Sequence, residues 1–117
     1  MDIKTVMGVP PNTLEEAIKR SIALLEKNAP EVFNYDEESF VAELHHAFGQ
    51  HMRNYWGLWS QSSGVYNEIN KQFKLEHADD CSAIIMYATY RTKNNLPLDL
   101  EPLARRYHLH WKQYENK

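Results

Sequence analysis

Cysteine and long apolar runs are scarce in this 117-residue chain, and each shortage excludes a class of protein. Cys81 is the single cysteine, so an intramolecular disulfide and a cysteine-based zinc site within one chain are both excluded. The longest strictly apolar run covers residues 83–88, which is far too short to span a bilayer. The N-terminal residues also lack the apolar stretch of a signal peptide. We therefore expect a cytoplasmic protein without a membrane segment.

A surplus of positive charge is also missing. The net charge is -3 with histidine neutral, whereas a generic nucleic-acid binder needs a basic surface. We interpret the basic C-terminal residues, among them Arg105 and Arg106, as complements to the negative end of a helix. Nucleic acid is therefore not the expected partner, and binding through this basic segment stays a third hypothesis.

Motifs that mark catalytic sites are absent as well. The chain has no glycine-rich phosphate loop, no G-x-S-x-G element and no H-E-x-x-H element. The pairs His45/His46 and His108/His110 lack the i, i+4 spacing of a helical metal site. The sequence therefore predicts no cofactor and favours a protein that is not an enzyme.

The residues that are present predict a single all-α domain over residues 1–117. Hydrophobic residues make up 43% and charged residues 25%, close to the average of globular proteins. Apolar residues recur at helical spacing in about five segments, which follow an irregular arm at residues 1–11. Thr13, Asp36, Asp79 and Asp99 are the predicted N-caps. One continuous stripe runs from Phe40 to Tyr55, and a helix stop is predicted at Gly57.

Two short segments hold most of the chemically distinctive side chains. Residues 53–59 read R-N-Y-W-G-L-W, and residues 77–82 read H-A-D-D-C-S. Together they supply one candidate polar or binding cluster, whose members are Arg53, Asn54, Trp56, Trp59, His77, Asp79 and Asp80.

Each part of this candidate cluster has a functional and a structural interpretation. Trp56 and Trp59 can form a stacking platform, or they can fill the core. Arg53 can bind a carboxylate or phosphate of a ligand, or it can pair internally with Asp79 or Asp80. The structural interpretation is favoured in both cases.

The histidine and the two aspartates of the second segment could bind a divalent metal or do acid–base chemistry. However, Asp79 has the position of an N-cap, and the spacing of His77, Asp79 and Asp80 is not diagnostic of a metal site. No metal site is therefore predicted.

The pattern R-N-x-W-G-L-W followed by H-x-D-D-x-S resembles a family of small uncharacterised bacterial and phage-associated domains. The resemblance covers about residues 44–97, and the opening at residues 11–17 is also similar. The chain departs from the family pattern at Ala78 and Cys81, where proline and methionine are typical. The resemblance implies that Arg53, Asn54, His77, Asp79 and Asp80 belong to one polar cluster, and it implies no activity.

Two hypotheses of different classes follow. The leading one is a non-enzymatic protein-interaction or accessory module, because no catalytic constellation is complete. The alternative is a small-ligand-binding or hydrolytic domain that uses Arg53, His77, Asp79 and Asp80. The sequence leaves the partner and the oligomeric state open.

Overall fold

The computed structural model describes residues 2–115, and that range contains seven α-helices, one 3₁₀ helix and no strand. The all-α prediction is confirmed, but the helices number seven rather than about five. They are α1 (Ile3–Met7), α2 (Leu14–Asn28), α3 (Glu37–His45), α4 (Phe48–Tyr55), α5 (Gly64–Phe73), α6 (Ala78–Lys93) and α7 (Glu101–Glu115), and the 3₁₀ helix spans Pro30–Asn34.

Helix α6 forms the centre of the molecule. All ten residues from 80 to 89 are buried, and α2, α3 and α4 pack directly against this helix. A helix that is apolar on every face must be surrounded by other helices. Of the polar side chains at the start of α6, Asp80 and Ser82 are therefore buried against neighbouring elements, whereas Asp79 is exposed.

Local sequence signals fix several helix ends as predicted. Thr13 Oγ1 accepts a hydrogen bond from the Glu16 amide at 3.1 Å, and Asp36 Oδ1 accepts one from the Ser39 amide at 2.8 Å. Gly57 follows α4 with φ +74°, a conformation that costs other residues strain. These signals depend on neighbours in the chain, so they can be read without tertiary information.

The stripe from Phe40 to Tyr55 is divided between two helices rather than forming one. The chain breaks after α3, where Ala47 adopts φ -112° and ψ -91°. A Cβ atom at Gly49 would lie 3.0 Å from Arg53 Nη1 and 3.2 Å from the Leu44 carbonyl oxygen. Glycine at this position therefore allows α4 to start close against the end of α3.

The segment predicted as an irregular arm contains α1, so that prediction is wrong for residues 3–7; Met1 lies outside the described residues. Asp2 Oδ1 accepts a hydrogen bond from the Thr5 amide at 2.9 Å, and Gly8 ends the helix with φ +71°. Met7 is buried in the core. An N-cap and a terminal glycine that frame one turn explain why this short helix forms.

Two predicted caps are also wrong. Helix α6 begins at Ala78, so His77 holds the N-cap position and Asp79 lies inside the first turn. The carboxylate of Asp79 still suits the positive end of the helix dipole there. Helix α7 begins at Glu101, so Leu100 rather than Asp99 precedes it. Pro102 lies in the first turn of α7, where its missing amide costs little.

Candidate functional sites

Arg53, in the last turn of α4, connects three helices. Its guanidinium donates from Nη1 to Ser82 Oγ at 2.8 Å and from Nη2 to the His45 carbonyl oxygen at 2.9 Å. Its Nε lies 3.2 Å from Asp79 Oδ1. The residue is only 4% exposed. The fork of Arg53 therefore joins the end of α3 to the start of α6.

The contacts of Arg53 explain the break between α3 and α4. His45 is the last residue of α3, and its carbonyl has no partner within that helix because the chain turns there. Arg53 satisfies this carbonyl, while the ion pair with Asp79 lacks the alignment of a hydrogen bond. A buried guanidinium that is engaged on this many sides serves as an internal brace.

Asp80 belongs to a different cluster, although it follows Asp79 directly. Its Oδ2 accepts a hydrogen bond from Trp111 Nε1 at 2.7 Å. The indole of Trp111 also stacks on the His77 imidazole, with ring centroids 3.6 Å apart and planes at 10°. Helix α7 thus covers the start of α6 through one tryptophan.

Burial raises the pKa of the Asp80 carboxyl above its ordinary value, because desolvation disfavours the charged form. The hydrogen bond from Trp111 and the nearby His77 act in the opposite direction and stabilise the carboxylate. Asp80 is 7% exposed. Its carboxyl is therefore easier to protonate than that of an exposed aspartate.

A shallow cleft of about 250 Å³ lies between the two clusters, and His45, Asp79, Asp80 and Tyr107 are among its lining residues. Burial lowers the pKa of His45, and the charge of Arg53 lowers it further. His45 is therefore predominantly neutral at pH 7 and adds no positive charge to this cleft.

The tryptophan pair does not form a platform. Trp56 is fully buried and donates from Nε1 to the Met7 carbonyl oxygen at 2.9 Å. Trp59 is 60% exposed and donates from Nε1 to Asn54 Oδ1 at 2.9 Å. One tryptophan holds α1 on the core, and the other lies on the surface beside Asn54.

The structure therefore separates the seven candidate residues into three groups. Arg53 meets Asp79, His77 meets Asp80 through Trp111, and Asn54 meets Trp59; Trp56 lies in the core. Sequence reasoning missed Trp111 and His45 as cluster members. The indole Nε1–H of Trp111, which requires an acceptor when buried, is the signal that could have identified this residue.

Metal binding and thiol chemistry receive no support within residues 2–115. No group of three His, Cys, Asp or Glu side chains in that range could hold a metal ion. Burial raises the pKa of Cys81 to about 12, so its reactive thiolate is scarce at neutral pH.

An apolar groove of about 600 Å³ lies away from these polar clusters. It is formed by α1, the C-terminal half of α2 and the junction between α3 and α4, and we call it the α1–α4 groove. Its apolar lining residues are Ile3, Val6, Met7, Leu24, Leu25, Ala29, Leu44, Ala47 and Phe48. Ile3 is 40% exposed at its edge.

The ionisable side chains that line the α1–α4 groove are basic or neutral. They are Lys27 and His51, and no acidic residue of the described chain lines it. Another recess of the described chain differs in this respect. That recess, of about 660 Å³, includes Glu15, Glu68 and Glu101 in its lining.

These features define a small all-helical domain with an internal arginine brace, a tryptophan-covered carboxylate and an open apolar groove. The chain belongs to the family described as Domain of unknown function (DUF6794), whose profile matches residues 10–93. The match includes α2 to α6, while α1 and α7 lie outside it.

The other comparisons add no relative. Neither a curated protein nor a solved structure matches the chain. Within residues 2–115, no helix combines the length and the apolarity that crossing a membrane requires.

Proposed function

We propose that this chain is a non-enzymatic protein-interaction module whose docking site is the α1–α4 groove. The observation that carries the proposal is the groove itself, which has a volume of about 600 Å³ and is lined mainly by apolar side chains. Exposed concave apolar surfaces in small proteins are typical of ligand or partner sites.

The lining chemistry indicates the class of partner. Lys27 offers positive charge at the groove, and most of the other lining side chains are apolar. An amphipathic helix fits such a groove by placing leucine-like anchors on the floor and acidic side chains beside the basic edge. We therefore expect an amphipathic segment of a partner protein with acidic flanks.

The alternative of a ligand-binding or hydrolytic site has weaker support. It requires Arg53 to contact a substrate, yet Arg53 is engaged with Ser82, His45 and Asp79. Separating a buried guanidinium from these partners would cost more free energy than the binding of a weak ligand provides.

A peptide titration followed by nuclear magnetic resonance tests the proposal. The probe is a synthetic amphipathic helix with leucine at i, i+3, i+4 and i+7 and glutamate elsewhere. We expect shifts at Val6, Ala47 and Phe48, which line the groove. A matched peptide with lysine in place of glutamate should bind more weakly, because Lys27 repels it.

Two variants locate the binding. Ile3→Glu places a charge at the groove edge, where the N-terminus of α1 tolerates an acidic residue. Val9→Glu is the control, because Val9 is 76% exposed and does not line the groove. Ile3→Glu should weaken binding about tenfold and Val9→Glu should leave it unchanged. Equal effects of both variants, or shifts that avoid the groove, would contradict the proposal.

A further inference from the structure

Helix α7 reaches the start of α6 from outside the segment that the family profile matches. The match ends at residue 93, whereas Trp111 lies in the C-terminal half of α7. The contacts that attach this half to the rest of the protein include those of Trp111 and of His108, whose Nε2 lies 2.8 Å from the Phe73 carbonyl oxygen. The tryptophan therefore docks into a surface that the matched segment supplies.

The surface that receives Trp111 has two recognition elements. The imidazole of His77 offers a flat face to the indole ring at 3.6 Å, and the Asp80 carboxylate accepts the indole N–H at 2.7 Å. Asp80 is more than nine-tenths buried, so without this N–H its oxygen would lose a hydrogen bond in a desolvated position. The arrangement calls for a planar ring that carries an N–H donor.

We propose that His77 and Asp80 form a recognition site for a tryptophan indole, and that Trp111 occupies this site from within the chain. A tryptophan of a partner protein would displace Trp111 and release the C-terminal half of α7. A phenylalanine could stack on His77, but it has no donor for Asp80. This inference is independent of the α1–α4 groove, which lies on other elements.

The site lies beside an open recess. A recess of about 220 Å³ adjoins Trp111, and Lys74, Glu76, His108 and Glu115 share its lining with His77 and Asp80. Mixed charges at this rim suit a polar peptide backbone on either side of an inserted ring. A tethered occupant competes at an effective concentration in the millimolar range, so a free ligand must exceed that range or gain further contacts.

The first experiment empties the site in the full chain with Trp111→Ala and adds indole as the probe. We expect indole to bind this variant and to shift the His77 ring resonances. The matched control is 1-methylindole, which stacks equally but lacks the N–H, and it should bind about tenfold more weakly. Equal affinity of the two probes, or no binding of either to the folded variant, would overturn the proposal.

The second experiment needs no substitution in the molecule that is measured. The tryptophans are labelled with 5-fluorotryptophan, and the three fluorine resonances are assigned with Trp→Phe variants. Excess N-acetyltryptophanamide should move the Trp111 resonance towards that of an exposed indole and leave Trp56 unmoved. N-acetylphenylalaninamide should not move Trp111. If Trp111 stays fixed at saturating probe, it is a permanent part of the fold and the proposal is wrong.

Discussion

Asp79 and Asp80 are neighbours in sequence, yet they belong to different environments. The side chain of Asp79 is 56% exposed and lies beside the buried Arg53. Asp80 is buried and accepts a hydrogen bond from Trp111. Consecutive residues of a helix point about 100° apart, so an acidic pair at a helix start faces two different neighbours. An Asp-Asp pair is therefore not evidence of one acidic site.

Of the two environments, the one around Arg53 and Asp79 should show the largest loss of stability when Arg53 is replaced. Arg53→Met keeps the apolar stem but leaves the His45 carbonyl and Ser82 without their donor. We expect a loss of about 2–3 kcal/mol in the free energy of unfolding, measured by urea denaturation. The control Arg105→Met, on the exposed face of α7, should stay within about 0.5 kcal/mol. If Arg53→Met loses as little stability as this control, Arg53 is not an internal brace.

Asp80→Ala should lower the free energy of unfolding by about 1.5 kcal/mol, less than Arg53→Met, because only the hydrogen bond from Trp111 is lost. Asp80→Asn should stay within about 0.5 kcal/mol, since its carbonyl oxygen can still accept while the unfavourable buried charge disappears. Urea midpoints of the two variants separate these effects. If Asn proves as costly as Ala, the charge itself matters and the assigned role is incomplete.

The raised pKa of Asp80 also predicts a pH dependence of stability. The folded protein holds the Asp80 proton to higher pH than the unfolded chain, so stability from this group falls as pH rises. The change begins near the unfolded value of about pH 4 and ends above the raised pKa of Asp80. We expect wild type to lose stability relative to Asp80→Asn across that window. A flat difference between the two, or one of opposite slope, would refute the assignment.

The smallest effect is expected at Asp79. Its side chain is more than half exposed, so water screens the ion pair with Arg53. Asp79→Asn should cost about 0.5 kcal/mol, and 1 M salt should remove most of the difference from wild type. A loss above about 2 kcal/mol that persists in salt would mean that this pair is as desolvated as the Asp80 cluster.

Features that depend on nearby residues could be predicted from the sequence. The apolar spacing predicted several helical segments, and the side chains of Thr13 and Asp36 accept hydrogen bonds from backbone amides three positions away. Gly57 marked the end of α4 for the same reason. The short α1 had an equally local signal in Asp2 and Gly8, but one turn is too brief to show periodicity.

Features that depend on distant residues were predicted only in part: pairing of Arg53 with Asp79 or Asp80 was expected, and the structure places Asp79 beside Arg53. The break before α4 is stabilised when Arg53 reaches the His45 carbonyl, and Arg53 is held in turn by Ser82, 29 positions along the chain. Asp80 and Trp111 are 31 positions apart. Sequence spacing grouped Arg53, His77 and both aspartates, whereas helix packing decided which of them meet.

A double-mutant cycle of Arg53→Met and Trp111→Phe tests the separation of the two clusters most directly. Each change removes one cluster's donor, and the free energy of unfolding is measured for both single variants and the double variant. Two independent clusters predict that the losses add to within about 0.5 kcal/mol. A coupling above about 1 kcal/mol would contradict the account, because it would show that Arg53, Asp79, Asp80 and Trp111 act as one connected site.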